Sequence, residues 1–556
     1  MRGAPQSHRT DISLFYPFGF RPQRVCFPTL FQEPNLNTMT TRSITRRQFV
    51  RRALCAVAAG VVGVRSGLSF AASGDILTMG ITGTFVSLDP AYTVGGTPGY
   101  DINWAIIPSL VRYDYDADGA LTYATTAYVE SFTVRDATHL DFTLTQGLLW
   151  SGGNGEFTTR DVQYSFDRMK LGTYKGNNEA YDHLDIKDKY NATIVLKHAF
   201  APFIVSTLCE GVGTIVCKKA VEAVGGTFTT KMPALCGPYL YEWKQKQYIK
   251  LTPNPEWTGP KPAFANINLI FITEPLASAL AYEAGEIACT KIGPATYERY
   301  LKKPPPQSTL TVAGSLQSMW LGMNQDHPKL KDIRVRQAIQ HAIDAEAVNL
   351  GAYGGAAEQA FGLVPSGLVG KRNASKYSYN PSKAKALLAQ AGVSGLELTL
   401  RTLNQSERVL AATIIQANLQ AVGIKASVLP QDVGPYWEMG HEAQGDLWKD
   451  LELWISNWGV GADPFDGMQW FVRDQVGIWN WERWTDDEYD ALFVEGNLST
   501  DTARRNEIYL RMQEIMEDTG CYVWLVHESE VYVHRDNLVI RLAPTGETQM
   551  AYFKPA

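Results

Sequence analysis

Nine histidines are dispersed along a chain of 556 residues, and none is spaced for catalysis. His441-Glu442 and His527-Glu528 each begin like a zinc-protease helix, but neither is followed by a second His at helical spacing. No Ser sits on a nucleophile elbow. Gly367 to Lys371 ends in Gly-Lys, yet it lacks the earlier Gly and the following Ser or Thr of a loop that cradles phosphates. Five cysteines of the main body, Cys209, Cys217, Cys236, Cys289 and Cys521, are scattered without a CxxC pair, so neither a zinc site nor a disulfide framework is indicated. One or two disulfides remain open in an oxidising compartment, with at least one thiol left over. No cofactor and no metal ligand set is read from these residues.

Charge narrows the partners. Residues 1–71 carry ten basic and two acidic residues, which leaves 41 basic and 55 acidic residues, a net of −14, for the rest of the chain. So acidic a body without a Lys/Arg cluster excludes nucleic acid, whose phosphates need concentrated positive charge. With so many carboxylates, any single one reads as solvated surface. The apolar fraction of 45% supports a sizeable core. Fourteen Trp, 26 Tyr and 22 Phe supply that core and leave material for a cleft that stacks on a ligand.

The basic excess belongs to a leader. Thr45-Arg46-Arg47-Gln48-Phe49-Val50, an apolar stretch from Ala53 to Val64 and the small residues Ser69-Phe70-Ala71-Ala72 follow the order of a signal peptide. The Arg pair before a large apolar residue resembles a twin-arginine export signal. The apolar stretch is short of the ~20 residues that span a membrane. We expect a signal peptide over residues 39–72, translation starting at Met39, and a non-native extension over 1–38.

Beyond the leader, β-rich and helical patterns alternate. Strands are expected at Ile76–Ile81, Leu140–Leu144, Leu396–Leu400, Lys425–Leu429 and Leu451–Ile455. Helices are expected from Thr158 or Thr159 through Met169, over Val335–Val348, over Pro381–Ala391 opened by Asn380-Pro381, over Leu410–Val422 and over Thr502–Asp518. No repeat at periods of 20–50 residues is seen.

Seven blocks in order then resemble one family. They are Ser87-Leu88-Asp89-Pro90; Leu110-Val111-Arg112-Tyr113-Asp114 with Asp118-Gly119; Phe142 through Gly147 with Trp150-Ser151-Gly152-Gly153 and Phe157-Thr158-Thr159-Arg160-Asp161-Val162; Cys236-Gly237-Pro238-Tyr239 with Asn254-Pro255; Met323-Asn324; Val335-Arg336-Gln337-Ala338-Ile339; and Tyr379-Asn380-Pro381 with Ala384-Lys385-Ala386-Leu387-Leu388. Together they resemble the peptide, nickel and opine class of solute-binding proteins that serve ABC importers. The resemblance implies an α/β, two-lobed periplasmic-binding-protein fold, type II-like, with an extra subdomain inserted in the first lobe. Lobe I would be 75–315 plus 527–556, its subdomain about 115–215, and lobe II 316–526. It further implies no enzyme but a monomeric capture protein in the periplasm, whose partners are a small ligand, the permease subunits and, during export, the twin-arginine translocon.

Within that fold the ligand would lie between the loop after Asp89-Pro90 and the loop Ser456 to Asp466. The second loop is rich in Gly and ends in an acidic turn, which suits a wall where backbone meets ligand closely. In peptide binders of the family, an Asp three residues after the corresponding Trp458 pairs with the ligand's α-amino group; here that position is Gly461. Asp463 or Asp466 are the substitutes. Tyr92, Tyr100, Trp104 and Trp150 are the first-lobe candidates, Trp458 a stacking surface, and Arg401 a clamp for a carboxylate. The implied ligand is a peptide, opine or similar amine-bearing molecule. The density of Trp near Trp458 keeps an oligosaccharide or glycoside open as an alternative, and an exported hydrolase is the remote one.

Overall fold

The computed structural model describes residues 75–556 except 84, 94–96, 117–118 and 173–174. The expected leader, the extension and Asp118 lie outside the described residues. Ten strands in one path form the spine: β1 (Ile76–Ile81), β2 (Tyr239–Lys244), β3 (Tyr248–Pro253), β4 (Asn266–Phe271), β5 (Cys289–Ile292), β6 (Ser308–Met323), β7 (Glu397–Leu403), β8 (Lys425–Gln431), β9 (Leu453–Gly459) and β10 (Tyr522–Arg535). Their order is β2-β3-β4-β1-β5-β10-β6-β9-β7-β8, with the short strand Glu358–Gln359 pairing β10 off this path. Two long strands, β6 and β10, run through the middle. β10 pairs β5 on one side, and β6 pairs β9 on the other. The β6–β10 ladder breaks register between Gly314 and Ser318, and inside that break Leu316 takes φ 51°. A separate four-stranded antiparallel sheet is formed by Val129–Asp136, His139–Leu144, Asn191–Leu196 and Tyr181–Ile186.

Local chemistry explains where the helices begin and end. Helix α1 (Pro98–Ile106) opens on a proline. Helix α2 (Thr159–Met169) starts in a capping box between Thr158 and Asp161. The expected helix over Val335–Val348 is two helices, α3 (Ile333–Ala342) and α4 (Ala345–Tyr353). The reason is Asp344, whose carboxylate accepts from Ala347 N at 3.0 Å and so starts a new helix where an unbroken one would continue. Helix α5 (Pro381–Gln390) is capped by Asn380. Helix α6 (Ser406–Ala421) begins four residues before its expected start, and α7 (Thr502–Asp518) has the expected bounds.

The blocks that carry the family resemblance are structural. Asp89 is fully buried and takes both guanidinium nitrogens of Arg168 at 2.9 and 2.7 Å, tying the first loop to α2. Arg336 donates to the carbonyls of Leu330, Lys331 and Thr519. All five described cysteines are free and buried, so no disulfide staples this body.

Candidate functional site

The two lobes meet through named contacts on either side of a cleft. Ser206 Oγ donates to Asp466 Oδ2 at 2.8 Å, Ala201 N donates to Asn497 O at 2.9 Å, and Phe200 packs edge-on against Phe465. On the other side, Leu121 N donates to Gly367 O at 3.1 Å. Along the crossing strands runs a cavity of about 510 Å³. Tyr115, Leu121, Leu316, Gly367, Leu368, His527, Glu528 and Leu542 are among the residues that wall it. That volume falls in the range of small-molecule sites.

Asp466 sits on a short helical turn, Phe465–Met468, after Asp463-Pro464. Gly461 has φ 70°, and a Cβ built there would lie 2.2 Å from Asp466 Oδ2. The Asp466 carboxyl therefore fills the space into which a side chain at 461 would project. Burial pushes its pKa well above the usual carboxylate range, with the charges of Asp463 and Glu210 adding to the rise and the Ser206 hydrogen bond opposing it.

Facing it from the first lobe is an acidic wall. Glu210 accepts from the hydroxyls of Tyr100 and Tyr113, and Tyr100 Oη in turn accepts from Gly211 N at 2.6 Å. Burial, then the charge of Glu547, raises Glu210 to about 7. Asp101, one residue after Tyr100 on α1, accepts from Thr548 Oγ1 at 3.0 Å, and burial followed by Glu547 raises it to about 8. The segment 543–548 links this wall to the cavity, since Ala543 and Pro544 line the cavity.

The sequence-named residues divide into three groups. Asp466 is half-buried beside Gly461, whereas Tyr100 is 4% exposed and part of the core, its hydroxyl held between Glu210 and Gly211 N. Trp104 packs edge-on against Tyr100 with ring centroids 5.2 Å apart, its indole 7% exposed. Tyr92 is an exposed turn residue, bonded through its N to Asp89 O. Trp458 is half-buried and packs edge-on against Trp437, Trp470 and Trp479. These rings cover one another, which leaves less flat indole for a sugar than the Trp count suggests. Two expectations need correction. Trp150 is a core residue, 1% exposed and packed on Phe157. Asp463 is also unavailable: both of its oxygens accept from Arg505 Nη2 at 2.7 and 2.8 Å, and Oδ1 caps Phe465 N. Arg401 lies on the face of β7 that carries Leu403, toward the cluster of Tyr436, Trp454 and Trp481, and its Nε is buried without an acceptor. Asp101, Ser206 and Glu210 were not picked from the sequence. Only the position of Asp101 beside Tyr100 could have suggested it.

Among the described residues, no group of three His, Cys, Asp or Glu is placed to hold a metal ion, and no helix is long and apolar enough to cross a membrane.

Residues 125–478 match the model of "Bacterial extracellular solute-binding proteins, family 5 Middle". The chain is 26% identical over 471 residues to the "Probable D,D-dipeptide-binding periplasmic protein DdpA" of Escherichia coli (strain K12), covering 82% of this chain and 89% of that protein. It is 23% identical over 485 residues to a glutathione-binding protein GsiB of Salmonella paratyphi A, covering 83% and 91%. Among solved structures, the substrate-binding protein CtaP of Listeria monocytogenes superposes with TM-score 0.74 at 20% identity, over 87% of this chain and 99% of that one. DppA from Helicobacter pylori in complex with peptide STSA gives TM-score 0.69 at 23% identity, over 87% and 98%. These likenesses give the two-lobed fold.

Proposed function

The chain belongs to the bacterial extracellular solute-binding proteins of family 5 and so binds a solute for an ABC transporter outside the cytoplasm, and from that premise we propose that the solute is a peptide, opine or other amine-bearing molecule. The observation that supports this reading is the Asp466 carboxyl in the space beside Gly461. A carboxylate three residues after Trp458 is what the family resemblance leads one to expect for holding an amine. Here the same place is reached from position 466. Relatives named for D,D-dipeptides and glutathione, both amine-bearing, agree with it. Asp463 has no such role, because Arg505 holds it. The protein works as a monomer.

Asp466→Asn tests the assignment. It keeps an acceptor for Ser206 and removes the carboxyl that would ionise on meeting an amine. Charge-assisted hydrogen bonds are worth roughly 1.5–3 kcal/mol, so affinity for an amine ligand should fall about ten- to a hundredfold in calorimetry while melting of the free protein changes little. Unchanged affinity would remove Asp466 from the site.

Export is the second proposal. The Arg46-Arg47 pair directs the chain to the twin-arginine translocon and into the periplasm. Changing both residues to Lys should leave the precursor in the cytoplasmic fraction. A normal yield outside would point to a Sec-type signal instead.

A further inference from the structure

The acidic wall comes from separate stretches of chain. Asp101 lies on α1, Glu210 follows the turn that holds Ser206, Glu547 lies in the C-terminal segment, and Asp466 crosses from the second lobe. The charged groups packed around them are already matched. Asp463 is held by Arg505 of α7, and Glu530 of β10 by Lys291 of β5. The remaining titratable neighbours, Tyr100, Tyr113 and Tyr532, all have pKa values raised above the phenol range by burial, so they stay neutral. Among the described residues, Asp101, Glu210 and Asp466 form no ion pair with Lys, Arg or His; Lys291, paired with Glu530, acts on Asp101 only as the weakest influence on its pKa. Asp101 Oδ1 is moreover sealed from solvent and accepts no hydrogen bond.

One carboxyl in such a place escapes the cost of burial by holding a proton. Here the charge of Glu547 raises that cost for Asp101 and Glu210, and the charges of Asp463 and Glu210 raise it for Asp466. A ligand that brings cations removes it for all of them. A ligand carboxylate placed there would add a further repulsion.

Resting on the amine-site reading above, we propose that the solute is a multiply charged amine, with one cationic nitrogen received by Asp466 and a second by Asp101 and Glu210. Its ammonium N–H groups donate to the carboxylates, and each carboxyl that ionises on binding releases one proton to the buffer. The pKa values of Glu210 and Asp101, about 7 and about 8, place their release near neutral pH and make binding stronger as pH rises.

The test is calorimetry of the exported chain with spermidine, a monoamine of similar length and the zwitterion Ala-Ala. Each is titrated below and above the Glu210 and Asp101 pKa values of about 7 and about 8, in two buffers of different ionisation enthalpy. We expect spermidine to bind at least roughly tenfold tighter than the monoamine, to tighten with pH, and to show buffer-dependent heat from proton release. Asp101→Asn and Glu210→Gln should each weaken spermidine roughly tenfold. Asp487→Asn, whose side chain is 94% exposed, should change nothing. Comparable melting of the variants shows that a loss is not unfolding. If Ala-Ala or the monoamine binds and spermidine does not, the amine site stands and the multiple charge is wrong. If spermidine binds equally to all three variants, it is held by surface charge and the proposal is overturned. If none of the three compounds binds, both this proposal and the amine reading fail, while the family assignment is untouched.

Discussion

Arg505→Met is expected to destabilise the fold by roughly 3–5 kcal/mol, because it leaves the Asp463 carboxylate buried and without its cation. The pair is almost closed to solvent, with side chains 10% and 5% exposed. Arg505 also donates to Gly496 O at 2.9 Å and to Tyr509 Oη at 3.1 Å, so it anchors the loop that leads to Asp466 onto α7. Denaturant unfolding of the single variants and the double variant gives the decisive comparison. Arg505→Met with Asp463→Asn should cost less than Arg505→Met alone, since the amide keeps the cap on Phe465 N without a charge to strand. If Arg505→Met costs under about 1 kcal/mol, the pair behaves as an exposed one and does not hold the cleft loop in place.

Glu482→Gln should stabilise the protein in mildly alkaline solution. Glu482 is 1% exposed and lies among aromatic rings, with Trp320 Nε1 donating to it at 2.9 Å. Burial raises its pKa from 4.5 to about 8, opposed by the hydrogen bonds it accepts. The sign follows from linkage. Below 4.5 the group is protonated in both states and carries no penalty. Between 4.5 and about 8 the unfolded chain ionises while the folded one keeps its proton, so stability falls by ~1.4 kcal/mol per pH unit. Above about 8 the loss is complete. Gln keeps an acceptor for Trp320 and does not ionise, so the variant should gain on the wild type by a few kcal/mol across this window. His527 runs the other way: burial lowers it from 6.5 to about 3, so its contribution is lost as pH falls through that range. Taking the difference between variant and wild type isolates Glu482. A gap that does not change with pH would show that Glu482 is ionised in the fold.

Local signals made much of the scaffold legible. Thr158 with Asp161, Asn380-Pro381, and Gly423 after α6 mark helix ends through interactions within a few residues, which a sequence displays directly. The division of 335–348 was missed because Asp344 reads equally as a polar face residue of one long helix, and its capping bond decides otherwise. The site was harder to read for the same physical reason in reverse. Asp463 looked free because its partner Arg505 is 42 residues away. Glu210 looked like any surface carboxylate, yet folding sets it against Tyr100 and Tyr113, about 100 residues distant. Trp150 stands in a recognisable block because it fills the core, and nothing in the residue type separates that from a ligand contact.

Glu528 determines where the molecule can bend. It belongs to a crossing strand, but its three mooring lines all come from the second lobe: Arg408 of α6 at 2.6 Å, Tyr353 of α4 at 2.7 Å and Asn457 of β9 at 2.9 Å. The neighbouring crossing strand is moored to the same lobe, through Val460 N to the carbonyl of Leu316 at 2.7 Å. Beyond these points toward the first lobe, Ser315 Oγ donates only to the crossing partner itself, at Glu528 O. The second lobe thus grips both strands up to residues 316 and 528, and the compliant links are the few residues outside that grip.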